Sequence, residues 1–101
     1  MYQLVLQLPS LAVDYDDLIA IEDELADALE SSANVDGHDF GQNEGNIFIF
    51  TNNPEHTLET VLSLLRGRSC ESDATVAYRT VGGEEYTVMW PDGYKGRFSI
   101  A

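Results

Sequence analysis

The sequence predicts an α+β fold in which two helices cover one face of a mainly antiparallel sheet. Three observations lead to it. Residues 2–8 alternate with period two, residues 14–31 repeat apolar positions at helical spacing, and an apolar run ending at Thr51 is followed by Asn53-Pro54 and a second helical repeat. With 101 residues and 44% apolar composition, the chain is expected to form one domain around its own core.

Within residues 2–8, Tyr2, Leu4, Leu6 and Leu8 share one face and Gln3, Val5 and Gln7 the other, as in a half-buried strand; Pro9 and Ser10 end it. Asp14 then suits a helix N-cap, with Asp17 three residues on. Leu18, Ile21, Leu25, Ala28 and Leu29 form the apolar stripe, and Asp16, Asp23, Glu24, Asp27 and Glu30 the polar side. This spacing predicts a helix over 14–31, stopped by Ser31, Ser32 and Asn34. Residues 33–40 read as a second, weaker strand. Asn46 to Thr51 read as a third, whose continuous run Ile47-Phe48-Ile49-Phe50 suits a central position covered on both faces. Gly41 to Gly45 join the two as a short hairpin loop, and the glycines at 37, 41 and 45 are expected to supply positive φ angles at a bulge and the hairpin.

Asn53 and Pro54 are the N-cap and first residue of a second helix with Leu58, Val61, Leu62 and Leu65 buried. Arg66 suits its negative end, and Gly67 is expected as its C-cap. After a polar loop at 69–73, Ala74 to Thr80 and Glu85 to Trp90 read as two strands joined by a tight turn at Gly82-Gly83. The order β-α-β-β-α-β-β matches, over its first six elements, the split β-α-β or ferredoxin-like arrangement. Right-handed crossovers then put both helices on one face. The predicted sheet order is 5-4-1-3-2.

The other face is left open in this scheme. Gln3, Val5 and Gln7 point there, joined by either Phe48 and Phe50 or Ile47 and Ile49. Such a patch serves as an interface, for a second copy or another partner, unless the C-terminal tail with Phe98 and Ile100 covers it.

Five Lys and Arg against eighteen Asp and Glu give a net charge of −13. Nucleic acid and anionic membranes are repelled by such a surface, and a basic protein is attracted to it. Solubility, or adaptation to high salt, accounts for the same acidity, and a lone lysine, Lys95, fits the latter. Cys70 is the single cysteine, so no internal disulfide forms and a reducing compartment is favoured. Its neighbours Arg68, Ser69 and Glu71 do not mark a reactive thiol. The N-terminus lacks a basic, apolar leader, and no apolar run approaches about 18–20 residues. A cytoplasmic protein is expected.

Asp36, His38, Asp39 and Glu44 gather near one turn. A calcium loop starting at Asp36 would have His38 third, Phe40 fifth and Ile47 twelfth, which fails the ligand pattern. Zinc would need three or four convergent ligands, and the chain's two histidines, His38 and His56, are far apart in sequence. His38 with Asp36 or Asp39 could form a general base with its orienting carboxylate, but no nucleophile accompanies them by any local signature. The glycines at 37, 41 and 45 precede a strand and lack a following Lys-Ser/Thr, so they are not a phosphate loop. Arg79, at the end of a strand, is expected to pair with a neighbouring carboxylate or to hold an anionic group. Trp90, before a proline, belongs to the core or rim or serves as a binding anchor. No metal or cofactor is implied.

The run Asp36-Gly37-His38-Asp39-Phe40-Gly41, then Gly45 to Thr51 with Asn53-Pro54-Glu55, and Val76-Ala77-Tyr78-Arg79, resembles small acidic single-domain bacterial proteins. Some of those are similar to the immunity proteins that accompany secreted bacterial toxins. The resemblance spans most of the chain and carries no catalytic residues. Together with the −13 charge, the small single domain and the lack of a catalytic set, it points to an acidic module that blocks or docks onto a basic partner; the residue reading above makes Asp36, His38, Asp39, Glu44, Arg79 and Trp90 the candidate contacts. The alternatives are a small ligand-binding or enzymatic domain built on His38, Asp36, Asp39 and Arg79, and a homodimeric structural domain using the open sheet face.

Overall fold

The computed structural model describes residues 1–41 and 43–100. Its elements are β1 (Tyr2–Pro9), α1 (Tyr15–Ala28), β2 (Ala33–Phe40), β3 (Glu44–Thr51), α2 (Pro54–Gly67), a 3-10 turn (Glu71–Asp73), β4 (Thr75–Thr80) and β5 (Thr87–Trp90). The five strands form one antiparallel sheet in the order β2-β3-β1-β4-β5, which read from the β5 edge is 5-4-1-3-2. No helix among the described residues is long and apolar enough to cross a membrane.

The helices form where their caps begin them. The Asp14 carboxylate accepts the Asp17 backbone N–H at 2.8 Å, and the Asn53 side chain accepts that of His56 at 3.1 Å. Leu18, Ile21 and Leu25 of α1 and Val61, Leu62 and Leu65 of α2 are buried. They meet Leu4, Leu6, Leu8, Ile47, Ile49 and Val76 of the sheet in one cluster, so both helices lie on one face. The first helix stops at Ala28, short of the expected residue 31. Its last turn holds no basic residue, and Asp27 and Glu30 lie at its negative end, where carboxylates are unfavourable. The Leu29 carbonyl then takes the N–H groups of Ser32 and Ala33 as the chain turns into β2. Gly67 proves to be the last residue of α2 and not its cap. The left-handed position falls on Ser69, at φ 60°, while the Cys70 N–H closes back onto the Leu65 carbonyl.

A buried hydroxyl pair ties α2 to the sheet. Thr51 and Thr57 lie within 2.9 Å of each other through their Oγ1 atoms. Thr51 Oγ1 also accepts the Asn53 N–H, and the Thr57 hydroxyl reaches the Asn53 carbonyl. Both side chains are buried and satisfied, as buried polar groups must be.

On the second face of the sheet the tail covers the centre, one of the two arrangements the sequence left open. In the register Val5 stands opposite Phe48 on one side and Ala77 on the other. These three, with Tyr86, Val88, Tyr94 and Ile100, pack against Phe98 of the C-terminal tail. Val5 and Ala77 are fully buried and Phe98 is nearly so. Among the described residues the tail adds no strand; it covers the centre of this face, the alternative to an interface there.

Two loops also differ from expectation. The β4–β5 connection is not a two-residue turn, because β5 starts only at Thr87. The Gly83 N–H closes a turn onto the Thr80 carbonyl, and beyond it the Arg79 guanidinium donates to the Gly83 carbonyl at 2.9 Å and lies over the Tyr86 ring, tying the loop to the end of β4. The other difference concerns Gly41 and Gly45, neither of which takes a positive φ. Gly45 is needed for closeness. A Cβ there would lie 3.0 and 3.1 Å from the two Leu18 methyl carbons and 3.1 Å from the Phe40 ring. Leu18 is fully buried and has little room to yield. Gly45→Val is therefore expected to destabilise the protein by about 1–3 kcal/mol, while Gly41→Ala, which meets only a carbonyl at 3.9 Å, stays within about 0.5 kcal/mol. Urea denaturation midpoints of the two variants check this.

Candidate functional site

The four residues that crowd one turn in the sequence are sorted by the fold into different surroundings. The cause is a β-bulge between Val35 and Gly37, where the β2–β3 register shifts. Strict alternation would place residues 35, 37 and 39 together. The extra residue moves the following side chains to the opposite phase. His38 thus stands opposite Ile47 and Phe40 opposite Gly45, on the helix side, while Asp39 stands opposite Asn46 on the tail side. Asp36 occupies the bulge and is exposed.

His38 faces α1. Its Nδ1 lies 3.0 and 3.1 Å from the two carboxylate oxygens of Glu22, so the partner is neither Asp36 nor Asp39. The Tyr15 ring meets His38 edge-on at 5.8 Å and Phe40 at 5.6 Å. These contacts fasten the edge strand to the first helix. Glu22 escaped the sequence reading; its place one helical heptad after Tyr15 is the signal that puts both on the flank of α1 facing β2.

Glu44 belongs to a separate polar network on the tail face. Its Oε2 accepts from Gln7 Nε2 and from Asn46 Nδ2, both at 2.9 Å. Gln7 Nε2 also lies within hydrogen-bond distance of Asn46 Oδ1 and of the Ser99 carbonyl in the tail. Asn46 is almost fully buried, and this network satisfies it. Glu44 thus reaches the tail through Gln7, which donates to both.

Arg79 does not form the expected ion pair. Among the described residues the ion pairs join His38 to Glu22, Arg66 to Glu71 and Arg68 to Glu24. Arg79 donates instead to Gln3 Oε1 at 2.9 Å and to the Gly83 carbonyl, with its guanidinium carbon 5.3 Å from the Tyr86 centroid. It lies on the tail face, the opposite side of the sheet from His38. Trp90 is half-buried against the helix-side core, and its indole N–H donates to the Glu71 carbonyl at 2.9 Å, which pins the 3-10 turn. The described residues contain no group of three or more His, Cys, Asp or Glu side chains able to hold a metal ion.

What the fold does assemble is an acidic side. Residues 1–65 contain thirteen Asp and Glu and no Lys or Arg, whereas residues 66–101 contain five of each, so the two parts carry −13 and 0. This asymmetry is visible in the bare sequence. In the sheet it becomes spatial. The acidic part supplies β2, β3, β1, α1 and most of α2, and the neutral part supplies β4, β5 and the tail. Eight carboxylates lie between residues 14 and 30, beside Asp36 and Asp39 on the edge strand. Arg66 and Arg68 are engaged by Glu71 and Glu24, and the other three cations sit in β4 and in the tail. Acidic and neutral edges thus lie at opposite ends of the sheet.

The chain matches no protein-family model, no curated protein and no solved structure.

Two titrations test the electrostatics of this surface. The hydrogen bond from Arg68, helped by its charge and opposed by partial burial, holds the Glu24 carboxyl below its ordinary value of 4.5. A carboxyl lowered in the folded state adds stability above the unfolded value and loses it as pH falls through the folded one. Carboxyl NMR should show Glu24 titrating below 4.5, and Arg68→Gln should raise it back. Burial, opposed by the nearby Arg68 charge, pushes the Cys70 thiol up. Cys70 should therefore react slowly with a disulfide reagent in the native protein and rapidly once urea unfolds it, since the thiolate is the reactive species.

Proposed function

We propose that this chain is an acidic protein-binding module that engages a basic partner through the side formed by α1 and β2, in the manner of an immunity protein that blocks a secreted toxin. The observation that carries the reading is the division of charge, −13 over residues 1–65 and 0 over residues 66–101, which the fold turns into one acidic and one neutral end. Solubility alone would be served as well by carboxylates spread evenly over the surface; their collection at one end supports a directed field. His38, Tyr15 and Phe40 give that side a firm apolar and aromatic base, and carboxylates surround it. A cytoplasmic location belongs to the same proposal.

We also read the first six elements as a ferredoxin-like unit with β5 appended beside β4. The order β4-β1-β3-β2, antiparallel throughout, and the shared helix face support this. The alternative of a ligand site uniting His38 with Arg79 finds no such support, because the two side chains lie on opposite faces of the sheet.

The test is charge reversal at the two ends. Binding of a small basic nuclease is measured by calorimetry at low and high salt. Lysine substitutions at Asp23, Asp27 and Glu30 should weaken low-salt binding at least tenfold, and the same changes at Glu84, Glu85 and Asp92 should weaken it far less. Equal losses from both sets, or binding indifferent to salt, would defeat the proposal.

A further inference from the structure

We propose that the partner attaches by adding an extended basic segment to the free edge of β2, as a sixth strand of the sheet. This rests on the acidic-module reading and specifies its contact. The sheet ends at β2, which pairs only with β3, and an edge strand presents unpaired backbone N–H and C=O groups along its outer side. At the opposite end β5 has only four residues, is closed by Pro91 and belongs to the neutral part of the chain.

The bulge at Val35/Gly37 divides the β2 edge, so the segment that offers a regular ladder is Gly37–Phe40, which pairs one for one with Gly45–Phe48. An added strand would alternate its side chains between the two faces. On the helix side they would lie beside His38, Phe40 and the half-exposed Tyr15 ring, which accept an aliphatic side chain, Glu22 being already bound by His38. On the tail side they would meet Asp39. The tail-side row therefore favours lysine or arginine and the helix-side row an aliphatic residue. A second copy of this chain is the wrong occupant, because it would set Asp36 and Asp39 against their own counterparts on a molecule of the same −13 charge.

The experiment uses two peptides of about ten residues with equal charge, one alternating lysine and valine, the other the same sequence with every backbone nitrogen methylated; the second has no N–H to donate to a ladder. Backbone hydrogen exchange is followed by NMR on the whole protein. The lysine–valine peptide should slow exchange at the outward-facing amides of residues 37–40 by about tenfold or more, while the N-methylated peptide, held by charge alone, should leave it unchanged. Asp36→Asn with Asp39→Asn should weaken the first peptide about threefold to tenfold. If both peptides bind and neither protects β2, edge addition is overturned and the acidic-module reading stands. If neither binds at low salt, both fall. Protection at β5, or protection of β2 that grows with protein concentration and no peptide, would also overturn the proposal, the latter identifying a second copy as the occupant.

Discussion

Burial of β1 on both faces is the constraint on which the rest of this structure depends. It runs between β3 and β4 in the middle of the sheet, with Leu4, Leu6 and Leu8 beneath the helices and Val5 beneath the tail. Each fully buried aliphatic side chain of this size contributes about 1.5–3 kcal/mol, so these positions anchor the two layers. A slip of one residue would drive Gln3 and Gln7 into the helix-side core. Their present partners show why that does not occur: Gln3 accepts from Arg79, and Gln7 donates into the Glu44 and Asn46 network and to the tail. Two polar pins frame one buried valine, and together they set strand register and hold the tail across the sheet.

This part of the molecule was legible because its signals are local. Alternation in residues 2–8, the aspartate cap at Asp14 and the Asn53-Pro54 start each rest on a few adjacent residues, and the structure agrees with each. Strand order followed from those elements and from crossover handedness. What could not be read depends on long-range geometry. The glycines suggest a bulge, and one lies beside Gly37, but its effect, reversing which of His38 and Asp39 faces the helices, follows from no spacing rule. Arg79 finds a glutamine, a carbonyl and an aromatic ring where a carboxylate was expected, because the tail face of the central strands is framed by glutamines. The function of Gly45 shows only when α1 is laid on β3.

The acidity stands apart from this logic. Nothing in the core needs it, and carboxylates at the C-terminal end of α1 oppose the helix dipole. Self-repulsion among carboxylates within one Debye length of each other, about 8–10 Å at ordinary ionic strength, works against the compact state. The fold tolerates that repulsion because its cohesion comes from β1 and the two apolar clusters, which do not depend on charge. The acidity is thus a property of the surface that the packing of the core neither requires nor opposes strongly enough to prevent.

The same residues that would admit a partner also exclude the wrong one. An eight-residue edge strand is an open invitation to pairing between copies, and proteins guard such edges with bulges and charges. β2 has both: the bulge at Val35/Gly37, and Asp36 and Asp39 on its exposed positions. Against an identical acidic strand these are repulsive, and against a basic strand the same carboxylates attract. Specificity is a difference between two affinities, and a single row of like charges moves both in the useful direction. The bulge then restricts pairing to a short run, so that charge complementarity and not ladder length decides which strand the edge will hold.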